Sequence, residues 1–460
     1  MKKPFGKVVT VAVLMAFLLS SFVVAGGFNK AEAQETESSE LSAASGSNRF
    51  VVWVDDTPDN NEILFRRSTD NGATWQPITN LSSNPGDSLR PQIAASGSNV
   101  YVVWTQINSE GTSGDVFVRK SANNGATWGG KVKLSVSPFA GTNTDASARI
   151  AVSGSNVYVA WEDDEGKVLV RRSTDNGNTW KTIDILSNTT FFSYDPNIAA
   201  VGSNVYVTWT EEHKETADTI FRRSTDNGAT WKSRINLSNT TSGNGSSTPQ
   251  IAASGSNVYV AWANAGAGPE FWLTRSTDNG ATWKPLVDLT ESDASQTELH
   301  LTALGANVYV IWIQASPDNG AFEIMFRRST DNGATWKPVI NLSNNPGHSN
   351  SPEITTSGSN VYVVWVQVSA DSTKIDIQLR RSTDNGATWK SITKISSNAG
   401  TSIAPHVAAK GSSVYVVWQD DTPGNYDILS RRSTNNGAAW DTIRNLSNNT
   451  GISSFPRLAI

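Results

Sequence analysis

Eight times along the chain a run of β-branched and aromatic residues ends in tryptophan, at Trp53, Trp104, Trp161, Trp209, Trp262, Trp312, Trp365 and Trp418. In the second run, "VYVVW" (Val100–Trp104), both faces are apolar, as a strand buried on both sides requires. The flanking pattern is equally regular. "PQIAASGSN" (Pro91–Asn99) predicts a short strand entering a Gly-Ser-Asn turn. Asp115–Ser121 predicts a third strand, and an "NNG" turn leads to a fourth over Thr127–Ser135. Four strands joined by short turns predict one antiparallel sheet per repeat. A sheet apolar on both faces needs a neighbour on each, and radial packing about an axis supplies both.

The turn before the fourth strand repeats almost letter for letter. "RRSTDNGATW" (Arg66–Trp75) returns at Arg119–Trp128, Arg171–Trp180, Arg222–Trp231, Thr274–Trp283, Arg327–Trp336, Arg380–Trp389 and Arg431–Trp440. The interval of 51–53 residues suits a four-stranded unit. Ser/Thr-x-Asp-x-Gly-x-x-Trp is the Asp box, and on these residues the chain resembles the sialidase-like Asp-box (BNR-repeat) β-propellers. The resemblance covers all eight repeats. With the tryptophan count it predicts an all-β fold: a single eight-bladed β-propeller of four-stranded antiparallel blades, with a box in each strand 3–4 turn. The box positions Asp70, Asn123, Asp175, Asp226, Asp278, Asp331, Asp384 and Asn435 read as structural. Each side chain accepts N–H bonds within its own turn, a task an amide oxygen performs as well as a carboxylate. The adjacent glycine takes the positive φ that closes the turn, and the box tryptophan is expected to fold back onto its sheet edge. These turns lack the alternating oxygen ligands of a calcium loop, so no cofactor or metal is expected, calcium being the one ion weighed.

The first 33 residues stand outside this pattern. A basic start, the apolar run "VVTVAVLMAFLLSSFVVA" and "AEA" ending at Ala33 predict a signal peptide over 1–33. An uncleaved N-terminal anchor is the alternative reading of the same run. An acidic linker (34–40) and the propeller (41–460) follow, with 456–460 expected to return as the inner strand of the first blade. The chain has no cysteine, which argues for export from a prokaryotic cell and excludes thiolate metal sites and cysteine catalysis. Without residues 1–33, which hold four lysines and one glutamate, the net charge is −8, spread without long basic runs. That argues against a nucleic-acid partner. The partner expected is a glycan, or an extracellular or envelope protein.

Function is sought where the repeat breaks, on the face opposite the boxes. One such set follows the inner-strand proline position: Gln92, Arg149, Asn197, Gln250, His300, Glu353, His406 and Arg457, all polar and expected to ring the central channel. A second set is acidic and follows the tryptophan strands: Asp55 and Asp56, Asp163 to Glu165, Glu211 and Glu212, and Asp420 and Asp421. A third is the pair Tyr194 and Tyr426. The family resemblance implies, for a sialidase, three carboxylate-clamping arginines, a Tyr–Glu nucleophile pair and an Asp acid/base. Asp56, Glu211 and Tyr426 fall in a compatible chain order. The chain has no Arg-Ile-Pro motif, however, and eight blades widen the mouth. The expectation is therefore a recognition module, with a sialidase-type or related glycoside hydrolase as the alternative and an envelope structural factor as the second.

Overall fold

A computed structural model describes residues 46–460 apart from 58, 137–138, 141–147, 189, 215, 241–244, 266–268, 291–294, 398 and 423. The signal-peptide and linker calls lie outside the described residues. Among the described residues there is no helix, and none is long and apolar enough to cross a membrane.

Eight antiparallel sheets carry the eight repeats, each ordered inner strand to outer strand. Blade 2 is representative: Ser88–Ser96, Asn99–Ile107, Ser113–Ser121 and Val132–Lys133 pair in sequence, and Phe139–Ala140 adds to the third strand. Blade 1 is assembled from both ends of the chain. Arg49–Asp55, Glu62–Ser68 and Thr79–Asn80 take Ser453–Ala459 as their inner strand, with Val51 opposite Leu458 and Val52 opposite Arg457. The ring thus closes by a strand pairing, which covers the inner edge of Arg49–Asp55. All eight core tryptophans are at most 1 % exposed, each wedged between two blades.

Each box is built as a hydrogen-bonded knot. Ser68 Oγ accepts the N–H of Gly72 at 2.8 Å and donates to Asp70 Oδ1 at 2.7 Å. Asp70 then accepts from Thr74 N and Thr74 Oγ1 at 2.8 and 2.6 Å. In the two Asn boxes the amide oxygen takes the same N–H, Thr127 N at 2.9 Å and Ala439 N at 2.8 Å. Gly72 sits at φ +76°, and a Cβ there would lie 2.7 Å from the ring of Tyr415 in blade 8. The box tryptophan also reaches across the seam rather than only onto its own sheet edge. Trp128 meets Phe65 of the preceding blade edge-on at 4.8 Å, and Trp283–Phe221 and Trp389–Phe326 repeat the contact.

The arginine pair ahead of six of the eight boxes staples its blade in both directions, with Lys120 at the second position in blade 2 and Thr274 at the first in blade 5. Arg66 donates Nε to Gln76 O of its own blade and Nη1 to Leu446 O of blade 8, at 2.7 and 2.6 Å. Arg67 donates to Asn124 O in the box of blade 2 at 3.2 Å. Arg432 of blade 8 reaches Asn71 O at 2.8 Å, completing the circle. Carbonyl acceptors facing a guanidinium make these strong contacts for surface groups. Blade 5 departs from the scheme: Thr274 stands at the first arginine position and bonds only Lys284 O, at 2.7 Å.

Candidate functional site

Each box is tied to the inner hairpin turn of its blade, as where Asn124 N donates to Ser98 O at 2.8 Å. Boxes and hairpin turns therefore share one face. The strand 2–3 loops and the blade-to-blade connections form the other.

The polar set of the inner strands stands at one level around the channel. Gln92, Arg149, Asn197, Gln250, His300, Glu353, His406 and Arg457 pair with Val103, Ala160, Thr208, Ala261, Ile311, Val364, Val417 and Val52, the same rung in all eight blades. All but the half-buried Arg457 are buried. Asn197 Nδ2 donates across the seam to Gln250 Oε1 at 3.1 Å, while His300 Nδ1 and Gln92 Nε2 are buried without a hydrogen-bond partner. Burial, with the positive charge of Arg457, holds both imidazoles down to about 3, so each is neutral at pH 7; His300 adds to the effect on His406.

Two residues before this ring lies a feature that the sequence did not announce. The inner strands skip a rung there, and Arg90, Asp195, Thr248, Glu298, Ser351, Ala404 and Phe455 adopt φ between +49° and +56°. Most of them precede proline, where an extended backbone is the ordinary expectation. The bulge overrides that preference at a position held by seven different residues. Glu298 is exposed there but crowded by the surrounding walls. Desolvation by the protein around the mouth pushes its carboxyl up, against the opposing N–H that Ser351 of blade 7 donates to Oε2 at 3.1 Å.

The acidic set divides by geometry. Asp55 and Asp420 are fully buried and serve the core. Asp55 accepts from Trp53 Nε1 and Thr57 N at 3.0 Å, and from Asn449 Nδ2 and Ser453 Oγ at 2.6 Å. Burial alone would raise its pKa, but the donors from Ser453, Thr57, Asn449 and Trp53 outweigh it and hold the carboxyl below its ordinary value. Asp420 repeats the arrangement with Trp418, Thr422 and Ser402. Gln314 and Gln367 accept the same indole N–H in blades 6 and 7, whereas Trp104, Trp161 and Trp209 make no such bond although Gln106, Asp163 and Glu211 stand at the same position. Asp56 and Asp421 clamp connections, accepting Ile452 N and Thr401 N.

Glu211 is buried on blade 4, bonded to Arg234, with His213 at 3.8 Å; His213 in turn lies 3.2 Å from Asp218. Tyr426 is half-buried on blade 8, and burial followed by Asp421 and Asp420 pushes its hydroxyl up. Its carbonyl accepts Ser453 N at 2.7 Å, so Tyr426 and Asp56 flank one connection, Ile452–Ser453. Glu211 lies three blades from Asp56 and four from Tyr426. Tyr194, half-buried on the inner strand of blade 4, is raised to about 12 by burial and by Glu212, Asp195 and Glu162. Among the described residues no group of three or more His, Asp or Glu side chains is placed to hold a metal ion.

Residues 198–393 match the family described as BNR repeat-like domain. A comparison with curated proteins finds no match. Among solved structures, the polysaccharide lyase Uly1 superposes with a TM-score of 0.50 at 9 % identity, covering 78 % of this chain and 91 % of its own. An ulvan lyase of polysaccharide lyase family PL25 gives 0.45 at 11 %, covering 65 % and 83 %. The α-L-arabinanase of Penicillium chrysogenum gives 0.38 at 16 %, covering 59 % and 87 %. At such identities the likeness is one of fold. The matched segment spans most of blades 4 to 7, and the same box-bearing blade continues around the ring: the chain is an eight-bladed β-propeller with an Asp box in each blade, whose residues 198–393 match the BNR repeat-like domain.

Proposed function

We propose that this chain is an exported recognition module that binds glycan at the channel mouth opposite the Asp boxes. The observation that carries the reading is the eight-membered polar ring. Every blade places a polar side chain on the same rung, yet the residue changes from blade to blade while the scaffold around it repeats. A scaffold role would be met by eight copies of one residue. Burying varied polar groups, including unpartnered donors or acceptors on Gln92 and His300, costs stability and suits a ligand rich in hydroxyl groups. Calorimetric titration against a glycan panel tests this. Gln92→Ala and His300→Ala are expected to weaken binding about tenfold each, the loss of one good hydrogen bond, measured on folded protein whatever the shift in melting temperature. Undiminished affinity in both variants would refute it.

One observation favours a second reading, a glycoside hydrolase. Glu298 places an exposed carboxyl at the mouth whose pKa the surrounding protein raises, the direction a general acid requires. The residues with sialidase-compatible order supply it with no partner, because Asp56, Glu211 and Tyr426 are committed on blades 1, 4 and 8. Turnover of fluorogenic glycosides by the wild type, lost in Glu298→Gln, would establish the hydrolase.

A further inference from the structure

We propose that the face bearing the Asp boxes docks on an anionic phospholipid membrane, with the channel mouth on the side away from the lipid. The inference does not depend on what the mouth binds.

The net charge of −8 conceals a cationic face. A window from the first arginine position to the residue after the box tryptophan, as in 66–76 and 327–337, recurs in every blade. The eight windows hold 20 lysines and arginines against 7 aspartates, whereas the rest of the chain beyond residue 33 holds 13 against 34 acids. The inner hairpin turns on the same face add no acid: 96–99 reads Ser-Gly-Ser-Asn, and 410–413 reads Lys-Gly-Ser-Ser. Acids gather instead at the strand 2–3 loops, as at Asp163 to Glu165 and at Glu211 and Glu212. The third strands that separate those loops from the boxes run six to nine residues. That is about 20–30 Å, beyond the Debye length of about 8 Å at physiological salt, so the acids do little to repel an anionic surface at the boxes.

Five of the cations are open to such a surface. Lys181, Lys232, Lys284, Lys337 and Lys390 follow the box tryptophan on blades 3 to 7, and all are exposed. Each is fixed at the box end of its blade by its backbone N–H, donated at 2.9 Å to the carbonyl of Arg172, Arg223, Arg275, Arg328 or Arg381 in turn. None of the five side chains makes a hydrogen bond or ion pair among the described residues. The box aspartates are engaged within their own turns, as Asp331 is by Ser329 Oγ, Thr335 N and Thr335 Oγ1.

The path of the chain selects a membrane over a soluble polyanion. Ser47 O accepts Asn71 N of the blade 1 box at 2.8 Å, and Ser47 Oγ donates to Thr69 O at 2.5 Å, so the chain enters the ring on the box face. Upstream in the sequence lies the apolar run that reads as a signal peptide or an anchor. Blade 1 stands across the ring from blade 5, the middle of the lysine arc. A propeller held at blade 1 and attracted at blades 3 to 7 lies flat on its box face.

The test uses the chain from Gln34 onward, a compact unit by itself whose ring closes by pairing Phe50 with Ala459. Cosedimentation with phosphatidylcholine vesicles, with and without phosphatidylglycerol, is expected to show binding only where the anionic lipid is present, falling steeply with salt. Each lysine near such a surface contributes about fivefold in affinity, so Lys232→Gln/Lys337→Gln should weaken binding about 30-fold. Lys214→Gln/Lys374→Gln removes equal charge at exposed positions in strand 2–3 loops and should leave binding unchanged. No binding to either vesicle, equal binding to both, or equal losses in the two variants would overturn the docking face. So would capture of soluble polyphosphate through Lys232 and Lys337 where vesicles are ignored, which would make the partner a polyanionic chain.

Discussion

Removing one arginine staple should loosen the ring measurably, and adding the missing one should tighten it. Arg327 of blade 6 is 6 % exposed. Its Nη1 donates to Asp288 O and Leu289 O of blade 5 at 3.0 and 2.9 Å, and its Nε to Lys337 O of its own blade at 3.0 Å. Arg327→Met keeps the aliphatic stem and removes all three bonds. Hydrogen bonds from a charged donor contribute about 1.5–3 kcal/mol each. The recovered hydration of the guanidinium offsets part of that, which leaves a net loss of about 2–4 kcal/mol. At this chain length such a loss corresponds to roughly 2–5 °C in melting temperature. Thr274→Arg is the converse. Its Nε would take the Lys284 carbonyl that Thr274 now holds, and its Nη1 would face Leu237 O, the blade 4 counterpart of Leu289. A gain of about 1 kcal/mol is expected, since the site must also absorb a larger buried side chain. Scanning calorimetry reads both variants, and hydrogen exchange at the blade 5–6 seam localises the first. Arg327→Met melting with the wild type would refute the staple, as would Thr274→Arg melting several degrees lower.

Close backbone approach makes a second test: a Cβ on Gly400 would lie 2.3 Å from Asp421 Oδ1, and one on Gly451 2.4 Å from Asp56 Oδ1. Gly400→Ala and Gly451→Ala should each cost about 1–3 kcal/mol in urea unfolding, whereas Gly130→Ala, with nothing within 4 Å, should be silent; equal effects would sink the argument. The buried histidines set an acid limb. Their folded values, about 3, lie below the unfolded 6.5, so the folded state binds fewer protons and stability falls as pH drops from 6.5 toward 3. A His300→Gln/His406→Gln double variant should flatten that limb between pH 6.5 and 4, and a wild-type melting temperature constant over the same range would contradict it. Deleting Pro456–Ile460 removes most of the pairing with Phe50–Asp55 and should yield oligomers or aggregates on gel filtration, whereas a monomer with an unchanged melt would show that closure does not need the strand.

The sequence by itself determined the repeat, because repetition is local. The spacing of the boxes, the apolar strands ending in tryptophan and the turn chemistry of Ser-x-Asp-x-Gly are all legible within one 51–53-residue window. The polar ring was legible too, since each member follows the same inner-strand position. What a residue does beyond its own blade was decided by the tertiary structure. The acids after the core tryptophans look alike in the sequence, yet Asp55 is an indole anchor, Asp56 a loop clamp, Glu211 an ion-paired group and Glu212 an open carboxylate. The arginine pairs read as repeated blade-edge structure, but only the folded ring shows Arg66 gripping Leu446, 380 residues away, and Arg432 gripping Asn71. Glu298 carried no pattern at all. Its setting arises from a rung skipped in the inner strand of its blade. The physical reason is the same throughout: a radial array makes its seams from residues one repeat or a whole circle apart. Local periodicity fixes which surfaces must be covered, and only closure of the ring fixes what covers them.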